Sequence, residues 1–455
     1  MDLRGKRILV LGLGETGLSM ARWLAHRGAA VRVADSREHP PRADDLAREL
    51  ANVRTDFGAF SAESFEGADL IAISPGVPAA EPLVRRAAER GVPIVGDIEL
   101  FARSRPRESA VIAITGSNGK STVTAMAGAM CEAAGWGTVM AGNIGLPVLD
   151  ALSEHPRARV YVLELSSFQL ETTYSLNACA AAMLNLSQDH LDRYDDLASY
   201  AAAKARIFQG EGMQVLNRDD PWSMDMRLSG RAVNTFGLDA PPTGEDWGIH
   251  CADAGDWLAR GSDVLMPVGE LGVPGRHNAA NALAAMALCR AVGVPDAPML
   301  VALRSFHGLP HRMQPVAERD GVTFYDDSKG TNVGATAAAL RGLAKPCVLI
   351  AGGEGKGQDF TPLAAPVCDR ARAVVLIGRD REVLRSALAA TGVRLLLADT
   401  LEQAVRLAYA AAFPGDAVLL SPACASFDMF RDYRQRGEEF ARLARQLALE
   451  AKSSH

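Results

Sequence analysis

At 455 residues the chain exceeds what one hydrophobic core supports, and at about 150 residues per domain it should form about three. Hydrophobic residues at 48% and charged residues at 22% leave no room for a long disordered arm, and a net charge of −6 excludes the basic surface that a nucleic-acid partner requires. No uncharged apolar run approaches the roughly 18 residues that span a bilayer. A cytoplasmic monomer with no membrane insertion is expected. The seven cysteines are scattered, odd in number and without a C-x-x-C pair, so they read as small buried residues in a reducing compartment.

In chain order, residues 7–14 (RILVLGLG) read as a buried strand, 16–27 as a helix, and 30–35, 70–74 and 93–95 as further strands. That alternation predicts a parallel sheet covered by helices. Gly12-Leu13-Gly14-Glu15-Thr16-Gly17 fits G-x-G-x-x-G between strand and helix, and Asp35 closes the next strand about twenty residues on. Taken alone the motif says NAD, but tight glycine turns at a helix N-terminus attract any nucleotide diphosphate. Ser74-Pro75-Gly76 follows a later strand, where such sheets place ligands, and is expected to wall the pocket.

Arg103-Ser104-Arg105-Pro106-Arg107 reads as surface chain, and beyond it the apolar run 110–114 leads into Thr115-Gly116-Ser117-Asn118-Gly119-Lys120-Ser121-Thr122 and a helix over 123–134. This is strand, phosphate loop, helix, although Ile114 stands where the strict G-x-x-x-x-G-K-[ST] pattern has its first glycine. Gly116, Ser117, Asn118 and Gly119 let backbone N–H groups converge on phosphates, Lys120 supplies a cation, Ser121 a hydroxyl for Mg²⁺, and Thr122 completes the loop. ATP binding follows.

The strand at 160–165 ends in Glu164, the place where a nucleotide enzyme holds Mg²⁺. His190 follows the next strand, 181–186, and Lys204 lies in an Ala-rich helix around 197–208. By spacing alone His190 is more often a structural residue than a ligand, and Lys204 reads as a solvated helix face. The pattern breaks at Gly308-Leu309-Pro310, after which strands at 347–351, 373–377 and 417–421 alternate with helices. The fold class expected is therefore α/β in three domains. These are a Rossmann-like domain at 1–98, a central P-loop ATPase-like parallel sheet at 99–308, and a second Rossmann-like domain at 309–455.

Eight motifs together resemble the Mur ligase family across essentially the whole chain. They are GSNGKST at 116–122, LELSSFQL at 163–170, DHLDRY at 189–194, GRHNAANALAA at 275–285, GLPHRM at 308–313, DDSKGTN at 326–332, GGEGKGQDF at 352–360 and SPACASFD at 421–428. The resemblance implies an ATP-dependent amide ligase of peptidoglycan precursor synthesis that takes UDP-N-acetylmuramoyl-L-alanine and D-glutamate. It assigns Gly14, Thr16, Asp35, Ser36, Arg37, Ser74 and Gly76 to the UDP moiety, with Glu15 standing where the family more often has an apolar residue. Asn143 and Gln169 match positions near the muramoyl group.

By the same resemblance Lys120, His190 and Lys204 are catalytic, and Ser121, Glu164, His190 and Lys204 hold two Mg²⁺ ions, the second through a carbamylated Lys204. Asn278 and Asn281 approach adenine and ribose, while Arg312 and Asp327 are ATP contacts from the third domain. Lys329, Thr331, Lys356, Ser426 and Tyr433 shape the D-glutamate site, Tyr433 where the family commonly has Phe. A substrate with two carboxylates suits such cations and hydroxyls. Three rivals remain: an NAD-dependent dehydrogenase built on the first glycine motif, a folylpoly-γ-glutamate synthetase or other amino-acid-adding ligase, and a non-catalytic nucleotide-binding scaffold.

Overall fold

The computed structural model describes residues 1–253 and 255–450. Five parallel strands, β1 (Arg7–Leu11), β2 (Ala30–Asp35), β3 (Arg54–Phe57), β4 (Leu70–Ile73) and β5 (Ile94–Val95), form a first sheet in the order β3-β2-β1-β4-β5. The order reverses between β1 and β4, and both strands end at that crevice, with Gly12 following β1 and Ser74 following β4. Such switch points are where open α/β sheets take ligands.

A second sheet contains β6 (Ala110–Thr115), β7 (Thr138–Gly142), β8 (Val160–Glu164), β9 (Ala180–Met183), β10 (Met213–Asn217), β11 (Val233–Phe236), β12 (Trp247–Ala252), β13 (Gly255–Arg260) and β14 (Asp263–Pro267). Its order is β14-β13-β12-β11-β10-β9-β6-β8-β7. From β7 through β12 the pairings are parallel, but β12, β13 and β14 form an antiparallel meander. The expected parallel sheet is present, and the antiparallel strands extend it at one edge. These last strands interleave His250, Asp256 and Arg260 with apolar residues, and they lack the continuous apolar run of a strand buried on both faces.

The third sheet comprises β15 (Gln314–Arg319), β16 (Val322–Asp326), β17 (Cys347–Gly352), β18 (Ala371–Ile377), β19 (Arg394–Leu397) and β20 (Ala417–Leu420), in the order β15-β16-β20-β17-β18-β19. Only β15 runs antiparallel, at an edge where Pro315 is tolerated. β17 shows why its sequence is apolar throughout. Leu349 and Ala351 pack into one core with Leu340 and Leu363, while Val348 and Ile350 pack into another with Val405 and Phe440. Both faces are covered by helices, so alternation disappears.

The chain segregates into two compact units. The first holds Met1–Leu186, Ala198–Glu270 and Ala280–Ser305, and so the first two sheets; the second holds Ser187–Leu197, Leu271–Ala279 and the chain from Phe306 onward. Among the described residues no helix is long and apolar enough to cross a membrane.

Gly17 shows how closely the first helix, Glu15–His26, lies on its strand. A Cβ there would stand 1.8 Å from the Gly12 carbonyl oxygen, a backbone atom that cannot step aside. Helix propensity favours alanine over glycine by about 1 kcal/mol, but an overlap of that depth outweighs it. Gly17→Ala is therefore expected to lower the thermal unfolding midpoint by several degrees; an unchanged or raised midpoint in a thermal scan would contradict this packing.

Candidate active site

In the first unit the loop between β6 and the helix Lys120–Ala133 is shaped by what surrounds it. Gly119 has φ 84°, and a Cβ there would meet the Asn281 Oδ1 at 2.6 Å, so only glycine lets the helix Arg276–Ala291 approach. Asn185, just past β9, clamps the loop: its Oδ1 accepts from the Asn118 N–H at 2.8 Å and its Nδ2 donates to the Asn118 carbonyl at 3.1 Å. Lys120 Nζ donates to the carbonyls of Gly116 and Ser117 at 2.7 and 2.9 Å. Ser117, Ser121 and Thr122 are buried.

Lys204 is 1% exposed, not the solvated helix face that its sequence neighbourhood suggested. Its Nζ donates to the same Gly116 carbonyl at 2.9 Å, lies 3.4 Å from Thr115 Oγ1, and sits 4.6 Å from the centre of the Tyr200 ring. Its burial could not be read from the run AAAKAR, because which helix face turns inward is set by the sheet it packs on.

Glu164, 1% exposed, ends β8 in register with Ile114 of β6 and Gly142 of β7, at the edge of the phosphate loop. Asn143 holds it twice, donating Nδ2 to Oε1 at 2.7 Å and its backbone N–H to the Glu164 carbonyl at 2.8 Å. The carboxylate of Glu164 at the end of β8 and the hydroxyl of Ser121 in the first turn of the helix after β6 are hard oxygen donors, a kind that suits Mg²⁺. Gln169 is 3% exposed and its amide faces inward: Nε2 donates to Asp97 at 3.1 Å, and Oε1 accepts from Ser166.

At the first sheet's crevice Asp35 is fully engaged. Its carboxylate accepts the Leu13 N–H at 2.6 Å, the Arg37 N–H at 2.9 Å, and Arg37 Nε and Nη2 at 2.8 and 2.7 Å. Burial pushes this acid up, but Arg37 and the backbone donors outweigh it and hold it below the usual range. Ser74 backs onto Gly12, whose missing Cβ would lie 3.0 Å from it, while Gly14 and Gly76 face open space. Thr16 is half-buried and Ser36 exposed beside them. Glu15, exposed at the helix start, is paired with Arg42.

The second unit gathers its candidates at the C-terminal ends of the adjacent strands β16, β20 and β17. Lys329 and Thr331 follow β16, Lys356 follows β17 with φ 52°, and buried Ser426 follows β20. Lys329 Nζ lies 4.8 Å from the Tyr433 ring centre. Burial raises that phenol, but Lys329 and Arg434 outweigh it and leave it below its ordinary value. Lys356 Nζ stands 3.4 Å from Asp189, which also accepts Asn332 Nδ2 at 3.2 Å, and the neighbouring His190 has φ 58°. Asn278 donates Nδ2 to the Pro274 carbonyl at 2.7 Å.

Several supporting residues were not singled out from the sequence: Asn185, Asp189, Asn332, Asp97 and Arg436. Arg436 is 1% exposed and ties the Ser328 and Cys424 carbonyls together, so it braces two of the site's loops. Nothing local marks it, since Arg434 and Arg431 stand close by on exposed chain.

Asp327 is buried, and burial raises its carboxyl to about 7 even though Ser421 Oγ donates to it at 2.7 Å and Arg312 attracts the anion. A carboxyl whose folded value exceeds its unfolded one stabilises the fold below the unfolded value, near 3.8, and that contribution is lost as pH rises through about 7. Asp327→Asn does not titrate. Its melting temperature relative to wild type is expected to climb by several degrees between pH 4 and 7 and then level off; a difference flat with pH would refute the shift.

Comparison with known proteins covers almost the whole chain. Residues 6–96 match the Mur ligase MurD-like N-terminal domain, 114–289 the Mur ligase middle domain and 311–424 the Mur ligase glutamate ligase domain. The UDP-N-acetylmuramoylalanine–D-glutamate ligase of Methylobacillus flagellatus is 60% identical over 443 residues, covering 97% of each chain. Its counterpart from Thiobacillus denitrificans is 58% identical over 467 residues, 98% of each. Among solved structures, a UDP-N-acetylmuramate-alanine ligase from Thermotoga maritima aligns with TM-score 0.61 at 20% identity, over 97% of this chain and 99% of that one. A folylpolyglutamate synthase from Mycobacterium tuberculosis aligns with TM-score 0.57 at 18% identity, over 76% and 93%. These two share the fold. With three family domains in order and full-length relatives well above half identical, this chain belongs to the Mur ligase family.

Proposed function

We propose that the chain is an ATP-dependent ligase that joins D-glutamate to UDP-N-acetylmuramoyl-L-alanine, releasing ADP and phosphate, in peptidoglycan precursor synthesis. The observation that carries this is the phosphate loop in which Lys120 and Lys204 converge on one carbonyl beside Glu164, together with relatives of that name at 58–60% identity over the full length. A carboxylate resists attack by an amine, because its charge repels the nucleophile and its oxygen is a poor leaving group. Phosphorylation removes both obstacles.

In this reading the crevice at Gly14, Asp35 and Arg37 takes the uridine diphosphate, and the alanyl carboxylate attacks the terminal phosphorus of ATP. Lys120 turns from its own loop carbonyls to the phosphate oxygens and neutralises charge that grows in the transition state. Ser121, Glu164, His190 and a carbamylated Lys204 would hold two Mg²⁺ ions, which would supply further electrostatic neutralisation. Asn278, Asn281, Arg312 and Asp327 orient the nucleotide. Lys329, Lys356, Thr331, Ser426 and Tyr433 hold the two carboxylates of D-glutamate, so that its neutral amine meets the acyl carbon and phosphate departs from the tetrahedral intermediate. The acyl phosphate is water-sensitive, so water must be kept from it during turnover.

The dehydrogenase reading is disfavoured because it leaves Lys120, Glu164, His190 and Lys204 without a shared purpose, and the full-length relatives carry ligase names. Phosphate release with UDP-N-acetylmuramoyl-L-alanine and a panel of D- and L-amino acids tests the function. D-glutamate is expected to stand alone as acceptor, and Lys120→Ala to lower the rate at least a thousandfold, about 4 kcal/mol of transition-state stabilisation. Lys204→Ala is expected to lose most activity and regain part of it with short carboxylic acids. Equal release with another amino acid, or none with D-glutamate, would sink the assignment.

A further inference from the structure

The short helix Asp97–Ala102, which follows β5 directly, buries two acids, Asp97 and Glu99. Glu99 is fully buried and accepts the N–H groups of Tyr174 and Ser175 at 2.7 and 2.8 Å, with Ser175 Oγ at 2.8 Å and Arg103 at 2.6 Å. Asp97 is 2% exposed and forms no ion pair among the described residues. Its side-chain contact is the Gln169 amide, and burial raises it to about 6. The Gly96 N–H also donates to the Thr172 carbonyl at 3.2 Å. One helix therefore grips the segment after β8 at both ends.

The grip on the near end leads toward the nucleotide. With Nε2 on Asp97, the Gln169 amide must aim Oε1 at Ser166, where it accepts N–H and Oγ at 3.2 Å each and closes a capping box with the Gln169 N–H. Ser166 starts the helix Ser167–Glu171 and follows Leu165, whose carbonyl accepts Thr115 Oγ1 at 2.8 Å. Glu164 is the residue before. A rotated Gln169 would present its amide to the Ser166 N–H, two donors face to face, and the cap would open.

We propose that Asp97 is a positioning residue for the Glu164 carboxyl, acting through Gln169 and the Ser166 cap, so that the end of the first sheet sets where the metal-binding acid points. The inference rests on the reading of Glu164 as a Mg²⁺ ligand. Gln169 then works as a strut inside the fold.

The test uses the full-length enzyme and Mn²⁺ as a spectroscopic probe, with free ion counted by electron paramagnetic resonance in the presence of ADP. Asp97→Leu is expected to weaken Mn²⁺ binding at least fivefold and to lower kcat about tenfold. Asp97→Asn, whose amide oxygen can still accept from Gln169, should stay within twofold of wild type on both readings. Gln169→Met, which leaves Asp97 intact, should reproduce the Asp97→Leu values, and the double variant should be no worse than either; these decide the matter if Asp97→Leu does not fold. A folded Asp97→Leu or Gln169→Met that binds Mn²⁺ and turns over like wild type, differing only in melting temperature, overturns the proposal. Wild type that releases no ADP would instead refute the ligase reading, and the Mn²⁺ comparison would still report on Asp97.

Discussion

Two lysine side chains donating to one carbonyl oxygen, that of Gly116, is the arrangement on which the rest of the site depends. At 2.7 and 2.9 Å from a shared acceptor, the Lys120 and Lys204 nitrogens lie within about 6 Å of each other, and two ammonium ions at that range repel by about 3 kcal/mol at an effective dielectric of 20. A loop that tolerates this is built for anions. Triphosphate oxygens relieve the repulsion from one side, and carbamylation of Lys204, as proposed, relieves it from the other by turning a cation into a carboxylate. Glu164 at the end of the neighbouring strand adds the acid that a hard cation needs.

The same geometric rule places many of the candidate groups. In each sheet the strands supply rigidity and apolar bulk, and the chemistry sits on the loops that leave their C-terminal ends. Gly12 and Ser74 follow β1 and β4, the phosphate loop follows β6, and the lysine- and serine-bearing loops follow β16, β17 and β20. Parallel strands point these ends the same way, so residues far apart in sequence are delivered to one edge. Polar braces then fix the loops: Asn185 beside the phosphate loop, buried Arg436 between the Ser328 and Cys424 carbonyls, and buried Asp97 beneath Gln169.

The first glycine motif shows what a local pattern can and cannot decide. Gly12, Gly14 and Gly17 secure a tight turn and a close helix, and any diphosphate is served by that. Asp35 shows the limit, because its carboxylate holds the Arg37 guanidinium and the Leu13 N–H, contacts that the glycine spacing does not encode. This requires the guanidinium to fold back over the acid, a matter of side-chain placement.

Read alone, the chain of residues determined the α/β class, most strand positions, the phosphate loop with Lys120, and the membership carried by eight ordered motifs. These signals are local: a run such as CVLIAG is apolar because both faces of β17 are covered, and glycine spacing is dictated by the turn it makes. The antiparallel β12–β14 meander escaped notice since its strands mix His250, Asp256 and Arg260 with apolar residues. Burial of Lys204, the inward turn of Gln169, the clamp of Asn185 and the bracing by Arg436 were decided only in three dimensions. Each depends on which face of an element meets a partner distant in sequence, and a buried amide or cation is stable only where such a partner supplies its hydrogen bonds.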